Sequence, residues 1–182
     1  LRLAGAFSGP LTVAGDRASL AADLKLQGQA CVYADMPLGR LTVDAALRDG
    51  LLHVAGLGLE KGRSAIAVAG TVQALEDDRS ALRGDPGLDL KITAGRIFLE
   101  DFSAAAAGAV ALSGEIRGTV KHPQGTAAAA GKDLDLGIQK VAALNLSARF
   151  DQDRLFINPA TVMLAPGQEM TGAGGITLDG AY

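Results

Sequence analysis

Two histidines, one cysteine and two pairs of aspartates are the side chains of this sequence best suited to chemistry, and their spacing argues against each use. His53 alternates with Leu52 and Val54, the place of a solvent-face residue on a strand. His122 precedes Pro123 in a turn, and Cys31 is distant from both. A zinc site draws its ligands from Cys and His at short, regular spacing, so no metal site is expected. Asp133 with Asp135, and Asp151 with Asp153, form Asp-x-Asp pairs of the kind that bind Ca2+ or divide acid and base roles. On a strand, Asp133 and Asp135 fall together on the wet face, opposite Leu134, Leu136 and Ile138. Asp151-Gln152-Asp153 reads as a hairpin connection. The glycine motif GLGLEKG at 56–62 has Lys61 where a third glycine is needed and opens no helix, so it fails as a dinucleotide fingerprint. No serine sits in a nucleophile elbow. Asn145-Leu146-Ser147 matches a glycosylation acceptor, read here as a coincidence within a strand. With no acid, base, nucleophile or metal set, the chain is expected not to be an enzyme and to need no cofactor.

The elements that carry these residues are written in a two-residue rhythm. Between Lys140 and Leu164, Leu144, Leu146, Ala148 and Phe150 alternate with Asn145, Ser147, Arg149 and Asp151. Side chains on a strand point to opposite faces with period two, so one face is apolar and the other wet. The same alternation gives strands at 11–15, 18–28, 30–35, 39–48, 51–60, 64–73, 87–94, 96–101, 104–112, 114–121, 125–131, 133–139, 141–151, 154–158, 161–165 and 170–179. Arg48-Asp49-Gly50 and Asp85-Pro86-Gly87 supply turn residues between them. The alanine runs at 104–107 and 127–130 are flanked by such segments and read as small-residue strands. Leu75 to Arg83 lacks alternation and reads as a loop or one short helix near 75–83. The fold class is therefore all-β.

Composition narrows the function. The chain has 182 residues, 48% hydrophobic and 20% charged, which is not a disordered composition. Glycine is abundant at 24, aromatics are 4% and Trp is absent, so Ala, Leu, Val and Ile must build a thin, repetitive body without large aromatic anchors. The net charge is −3, with a pI near 5.3 and scattered Lys and Arg. No basic patch is present for nucleic acid. One cysteine excludes an internal disulfide. The longest small-apolar run, Ala104 to Leu112, is too short to span a bilayer as a helix.

A shift of 103 positions lays Leu41 on Leu144, Val43 on Leu146, Ala45 on Ala148, Leu47 on Phe150, Leu52 on Leu155 and Val54 on Ile157. One further residue lays Gly70 and Val72 on Gly174 and Ile176, and upstream Gly5 and Gly9 resemble Gly114 and Gly118. Self-similarity of this kind indicates an array whose units pack on their neighbours. Units at 1–74 and 88–182, joined by a polar segment at 75–87, are expected. The sequence opens on Leu1 in mid-strand and closes just after another strand at Tyr182, so it is expected to be an internal piece of a longer protein.

The stretch LDLKITAGRIFLEDFSAAAAGAVALSGEIRGTVKHPQG at 88–125, followed by VAALNLSARFDQDRLFINPATVMLAPGQEMTGAGGITL at 141–178, resembles the C-terminal region of the TamB family, in the AsmA-like group of bacterial envelope proteins. The matching elements are Gly114, Gly118, Thr119, Pro123 and Gly125, then Gly172, Gly174, Ile176 and Leu178, and residues 39–72 resemble the unit once more. The first forty residues carry the signature poorly.

The resemblance implies an elongated, curled antiparallel or solenoid-like sheet, a β-taco, with a hydrophobic concave groove. It implies a full-length protein anchored in the inner membrane of a Gram-negative bacterium and crossing the periplasm, with a TamA-like outer-membrane partner. Two functions follow as expectations. The first is conduction of phospholipids from inner to outer membrane along a groove lined by Leu41, Val43, Leu47, Leu52, Val54, Leu144, Leu146, Phe150, Leu155 and Ile157. The second is a chaperone or scaffold for outer-membrane β-barrel or autotransporter proteins, whose unfolded strands would pair with a free sheet edge. A structural β-solenoid with a closed core is the third reading, and edge-to-edge self-association of the fragment is a further expectation.

Overall fold

A single antiparallel sheet accounts for nearly all of the chain in the computed structural model, which describes residues 3–16, 19–33, 36–76, 81–152, 154–165 and 167–177. Its strands are β1 (Leu3–Ser8), β2 (Leu11–Ala14), β3 (Ala21–Tyr33), β4 (Met36–Arg48), β5 (Leu51–Lys61), β6 (Ser64–Leu75), β7 (Leu82–Phe98), β8 (Ala107–Thr119), β9 (Pro123–Asp135), β10 (Lys140–Asp151), β11 (Arg154–Ala165) and β12 (Gln168–Thr177). A 3-10 turn, η1 (Leu99–Asp101), follows β7. The order is β1-β3-β4-β5-β6-β7-β8-β9-β10-β11-β12, with β2 also on β3. From β3 onward, sequence neighbours are spatial neighbours, so each hairpin sets the next register. β1 and β2 together line β3 as one edge strand interrupted at Gly9-Pro10, where the Pro10 carbonyl accepts the Lys25 N–H at 3.1 Å.

The hairpins follow turn chemistry. Asp49 and Gly50 have φ of 52° and 80°, so the two-residue connection of β4 to β5 is the primed type that matches strand twist. Gly118 has φ of 93°, and a Cβ there would stand 2.5 Å from the His122 carbonyl oxygen. Thr119 then closes the β8–β9 turn by accepting the His122 N–H at 3.2 Å. The expected Gly-x-x-x-Gly-Thr-x-x-x-Pro element is thus a turn with a stated geometry.

Several expected boundaries move. The breaks expected near 29, 95 and 159–160 are not strand ends. They coincide with register shifts at Gly28/Cys31, Lys91/Arg96 and Ile157/Ala160, and β3, β7 and β11 run through them as bulged strands. The expected turn Asp85-Pro86-Gly87 lies within β7, where the Asp85 carboxylate accepts the Thr119 hydroxyl at 2.6 Å and the Lys121 N–H at 2.9 Å. The helix read near 75–83 is not borne out at its ends. Leu75 pairs with Leu82 across β6 and β7, and Glu76 N–H donates to the Ala81 carbonyl at 3.0 Å; residues 77–80 lie outside the described residues. The strand expected at 133–139 ends at Asp135, because Asp133 has φ of 52° and Leu136 N–H closes a turn onto the Gln139 carbonyl at 3.0 Å. Asp133 and Asp135 are therefore not two residues of one regular strand face. Leu136 and Ile138 stand in solvent, Ile138 at 97% exposure, while Leu134 is buried. The first alanine run is a turn at 104–105, with strand beginning only at Ala107.

No second layer covers the sheet among the described residues. Among the described residues the buried apolar side chains are Cys31, Ala45, Leu75, Leu134 and Val141, and of these Cys31 is buried most completely. The accessible surface is 11586 Å², whereas a compact monomer of 18.4 kDa would expose about 8,200 Å². The chain is an open, elongated sheet.

The 103-residue shift is a structural period. Among the described residues four non-glycine residues have positive φ, and they form two pairs at that spacing: Ala30 with Asp133, and Asp49 with Gln152. Gly15 and Gly118, with φ of 95° and 93°, are a third pair, and Gly5 with Gly108 a fourth. Buried Cys31 matches buried Leu134. The copies thus run from β1 to β6 and from β8 to β12, with β7 between them. Gly5 and Gly9 do not align with Gly114 and Gly118 as read from the sequence, since the period sets Gly5 on Gly108. Gly70 does match Gly174, each opposite the corresponding residues Val54 and Ile157.

Candidate functional site

Directly paired residues of an antiparallel sheet share a face, so register alone traces the surface. One row crosses eleven strands: Leu11, Leu24, Ala45, Val54, Gly70, Leu90, Ile116, Gly125, Phe150, Leu155 and Ile176. At strand spacing it is about 48 Å long. Parallel rows flank it. Leu26, Val43, Leu57, Val68 and Ile92 run on one side, and Ala22, Leu47, Leu52, Val72 and Leu88 on the other. Further along the sheet, Val110, Gly131, Leu144, Val162 and Met170 form another row, beside Leu112, Ala129 and Leu146.

All ten side chains expected on the apolar surface therefore share one face of one sheet. Leu41 joins Leu59, Val43 joins Leu57, Leu47 joins Leu52, Ala45 joins Val54, Leu144 joins Val162, Phe150 joins Leu155, and Ala148 joins Ile157. Most are half-buried by their neighbours alone, and Leu57, Ile116 and Leu146 are exposed. Gly125 explains how Phe150 lies down: a Cβ at Gly125 would meet the Phe150 ring at 2.8 Å. The sequence placed these residues by alternation but did not reveal the central members Leu90, Ile116 and Gly70, because bulges change the parity between strands.

The opposite face is polar along its own rows. Asp23, Ala46, His53, Thr71, Asp89, Arg117, Gln124, Asp151 and Arg154 follow one another across the sheet. Arg48 Nη2 donates to both Asp23 carboxylate oxygens at 2.7 and 2.8 Å, Lys25 pairs with Asp44 at 3.5 Å, and Arg117 with Asp89 at 3.5 Å. The Arg149 guanidinium lies over the Phe156 ring, 5.1 Å from its centroid. These exposed pairs set register and solubility more than stability. His53 lies on this face, as its alternation indicated. A recess of about 700 Å³ also opens on it, walled by Lys25, Gln27, Thr42, Asp44 and Glu60 and open above Gly56, where a Cβ would meet nothing within 4 Å.

One polar cluster was not legible in the sequence. Asp101, at the end of η1, accepts the Arg63 N–H at 2.9 Å, the Ser64 N–H at 2.8 Å and the Ser64 hydroxyl at 2.6 Å. The Ser64 hydroxyl, chiefly, and these N–H groups hold its carboxyl below the ordinary range. Ser64 Oγ also accepts the Phe98 N–H at 2.8 Å. Only the three-dimensional return of residue 101 onto the β5–β6 turn brings these groups together. Among the described residues no cluster of His, Cys, Asp and Glu is arranged to hold a metal ion.

No protein-family model, curated protein or solved structure matches the chain.

Proposed function

We propose that this chain is a segment of an envelope protein of the TamB type, crossing the periplasm of a Gram-negative bacterium from an inner-membrane anchor, and that its apolar face conducts phospholipids toward the outer membrane. The observation that carries this reading is the row of apolar residues and glycines that crosses eleven strands, with no layer packed over it among the described residues. A curl of the sheet about this face would make it the concave lining of a groove. Acyl chains gain about 0.8 kcal/mol per buried CH2 on such a surface, and no single contact is specific enough to stop sliding. The polar rows on the other face keep the outside of the sheet in water.

The test is lipid carried through purification of the full-length protein, quantified by mass spectrometry. Ile116→Asp and Phe150→Asp on the apolar face are expected to strip the bound phospholipid, and Arg117→Asp on the polar face to retain it. Equal retention in all three would overturn the reading.

A second reading has one observation of its own. β12 is exposed along its whole length and pairs only with β11, so it offers a free edge to an incoming strand. A client β-barrel strand could add there by augmentation, with its apolar side continuing the row beyond Ile176. A TamA-like partner in the outer membrane belongs to either reading.

A further inference from the structure

Between β7 and β8 the chain leaves the sheet and returns across the apolar face. Lys61 and Ser64 pair at the end of β5 and β6, two residues beyond the apolar pair Leu59 and Ile66, and so belong to that face. Asp101 is fastened to Ser64 and to the Arg63 N–H, and the next residue, Phe102, lines a small recess together with Leu59, Ile66 and Ile97. The Lys61 ammonium stands 4.4 Å from the centroid of its ring. The recess beneath Phe102 is about 30 Å³, room for about one water. At the far end of the segment, Ala105 reaches the β9–β10 turn, where a Cβ on Gly137 would stand 2.7 Å from the Ala105 carbonyl oxygen. Residues 99–106 thus bridge from the β5–β6 turn to the β9–β10 turn along one set of strand ends.

The fastening is weak in kind. The segment makes no ladder with the sheet. Its backbone bonds are local, from Phe102 and Ser103 N–H to the Leu99 carbonyl and from Ala106 N–H to the Ser103 carbonyl. The Asp101 carboxylate and the Glu100–Arg63 ion pair at 3.1 Å, the latter between exposed groups, carry the attachment to the β5–β6 turn, and Phe102 is 50% exposed.

We propose that residues 99–106 are a strap that shuts one side of the apolar face, with Phe102 as its shutter and Asp101 as its latch, and that opening the strap admits an acyl chain from the side. This inference rests on the lipid reading above. It adds a lateral entry at a defined level of the sheet, so that loading does not depend on the ends of the strand array. The strap can swing because the strands beneath it keep their own hydrogen bonds when it leaves.

The experiment is stopped-flow entry of cis-parinaric acid, a fatty acid that fluoresces in apolar surroundings, into the purified protein. Phe102→Ala and Asp101→Ala are each expected to speed entry about threefold or more, as removal of a gate does. Phe156→Ala, on the polar face, is expected to leave the rate unchanged. Binding to the wild type with wild-type rates in Phe102→Ala overturns the strap and leaves the lipid reading standing. No parinarate binding to any form overturns the lipid reading and the strap with it. Should Asp101→Ala unfold, Phe102→Ala still decides, because its half-exposed ring is not part of the sheet.

Discussion

Truncating Leu146 should cost the fold far less than truncating Leu134, and the difference measures whether the apolar face is open. Leu146 lies in the middle of β10 with Ala129 opposite it and is 36% exposed. About two thirds of its side chain is out of water. Leu→Ala removes about three carbons, worth about 2.4 kcal/mol at full burial, so Leu146→Ala should cost about 1.5 kcal/mol at most. No cavity term is added, because solvent reaches the vacated site. Leu134 is 3% exposed, pairs with Val141, and packs its methyl groups onto Gly108 and Gly131. There the cavity term applies, and Leu134→Ala should cost about 3 kcal/mol. Equilibrium unfolding in urea, with the slope checked for constancy across variants, reads both values. In a chain of this size the gap corresponds to about 3–6 °C in Tm. A loss of about 3 kcal/mol or more in Leu146→Ala, equal to that in Leu134→Ala, would mean that the face is sealed inside a core, and the open-sheet argument would fail.

Acid should release two side-chain clamps together. The Asp101 carboxyl is held low chiefly by the Ser64 hydroxyl and the Asp85 carboxyl chiefly by the Thr119 hydroxyl. Their stabilisation is therefore present above the ordinary carboxylate value of 3.8 and lost as pH falls below it. An NMR titration of the Ser64 and Lys121 amides should show this, and Asp101→Asn should abolish the Ser64 transition alone. Gly125→Val should destabilise by about 1–3 kcal/mol in thermal denaturation through overpacking against the Glu115 carbonyl oxygen and the Phe150 ring, whereas Gly172→Val, with open space above it, should not. Ala173→Pro on the free edge strand should leave phospholipid retention intact while blocking any augmentation by a barrel-strand peptide. Lost retention would favour the edge over the face as the working surface.

The all-β class and the two-faced character were legible because period-two alternation needs no tertiary knowledge. The ten apolar residues from Leu41 to Ile157 fall on one face as alternation within each strand requires. What alternation cannot supply is parity between strands. That depends on bulges at Gly28/Cys31, Asp44/Ala45, Val54/Leu57 and Ile157/Ala160, each of which shifts one strand against its neighbour. The shifts at Gly28/Cys31, Lys91/Arg96 and Ile157/Ala160 also make continuous strands look broken in the sequence. The 103-residue period was readable at Leu41 and Leu144, but its sharpest marks, the left-handed backbones of Ala30 and Asp133, are invisible in residue types that rarely adopt them. Alternation assigns 99–106 to parts of two strands, because nothing local says that Asp101 returns to Ser64, thirty-seven residues earlier.

The most direct test of the lipid reading is site-specific photocrosslinking in cells expressing the full-length protein, with the photoreactive residue at Leu146 on the apolar face or at Arg149 on the polar face, and the adducts identified by mass spectrometry. The account predicts phospholipid adducts at Leu146 and none at Arg149. Polypeptide adducts at Leu146 in place of lipid, or no adduct at either position, would contradict it.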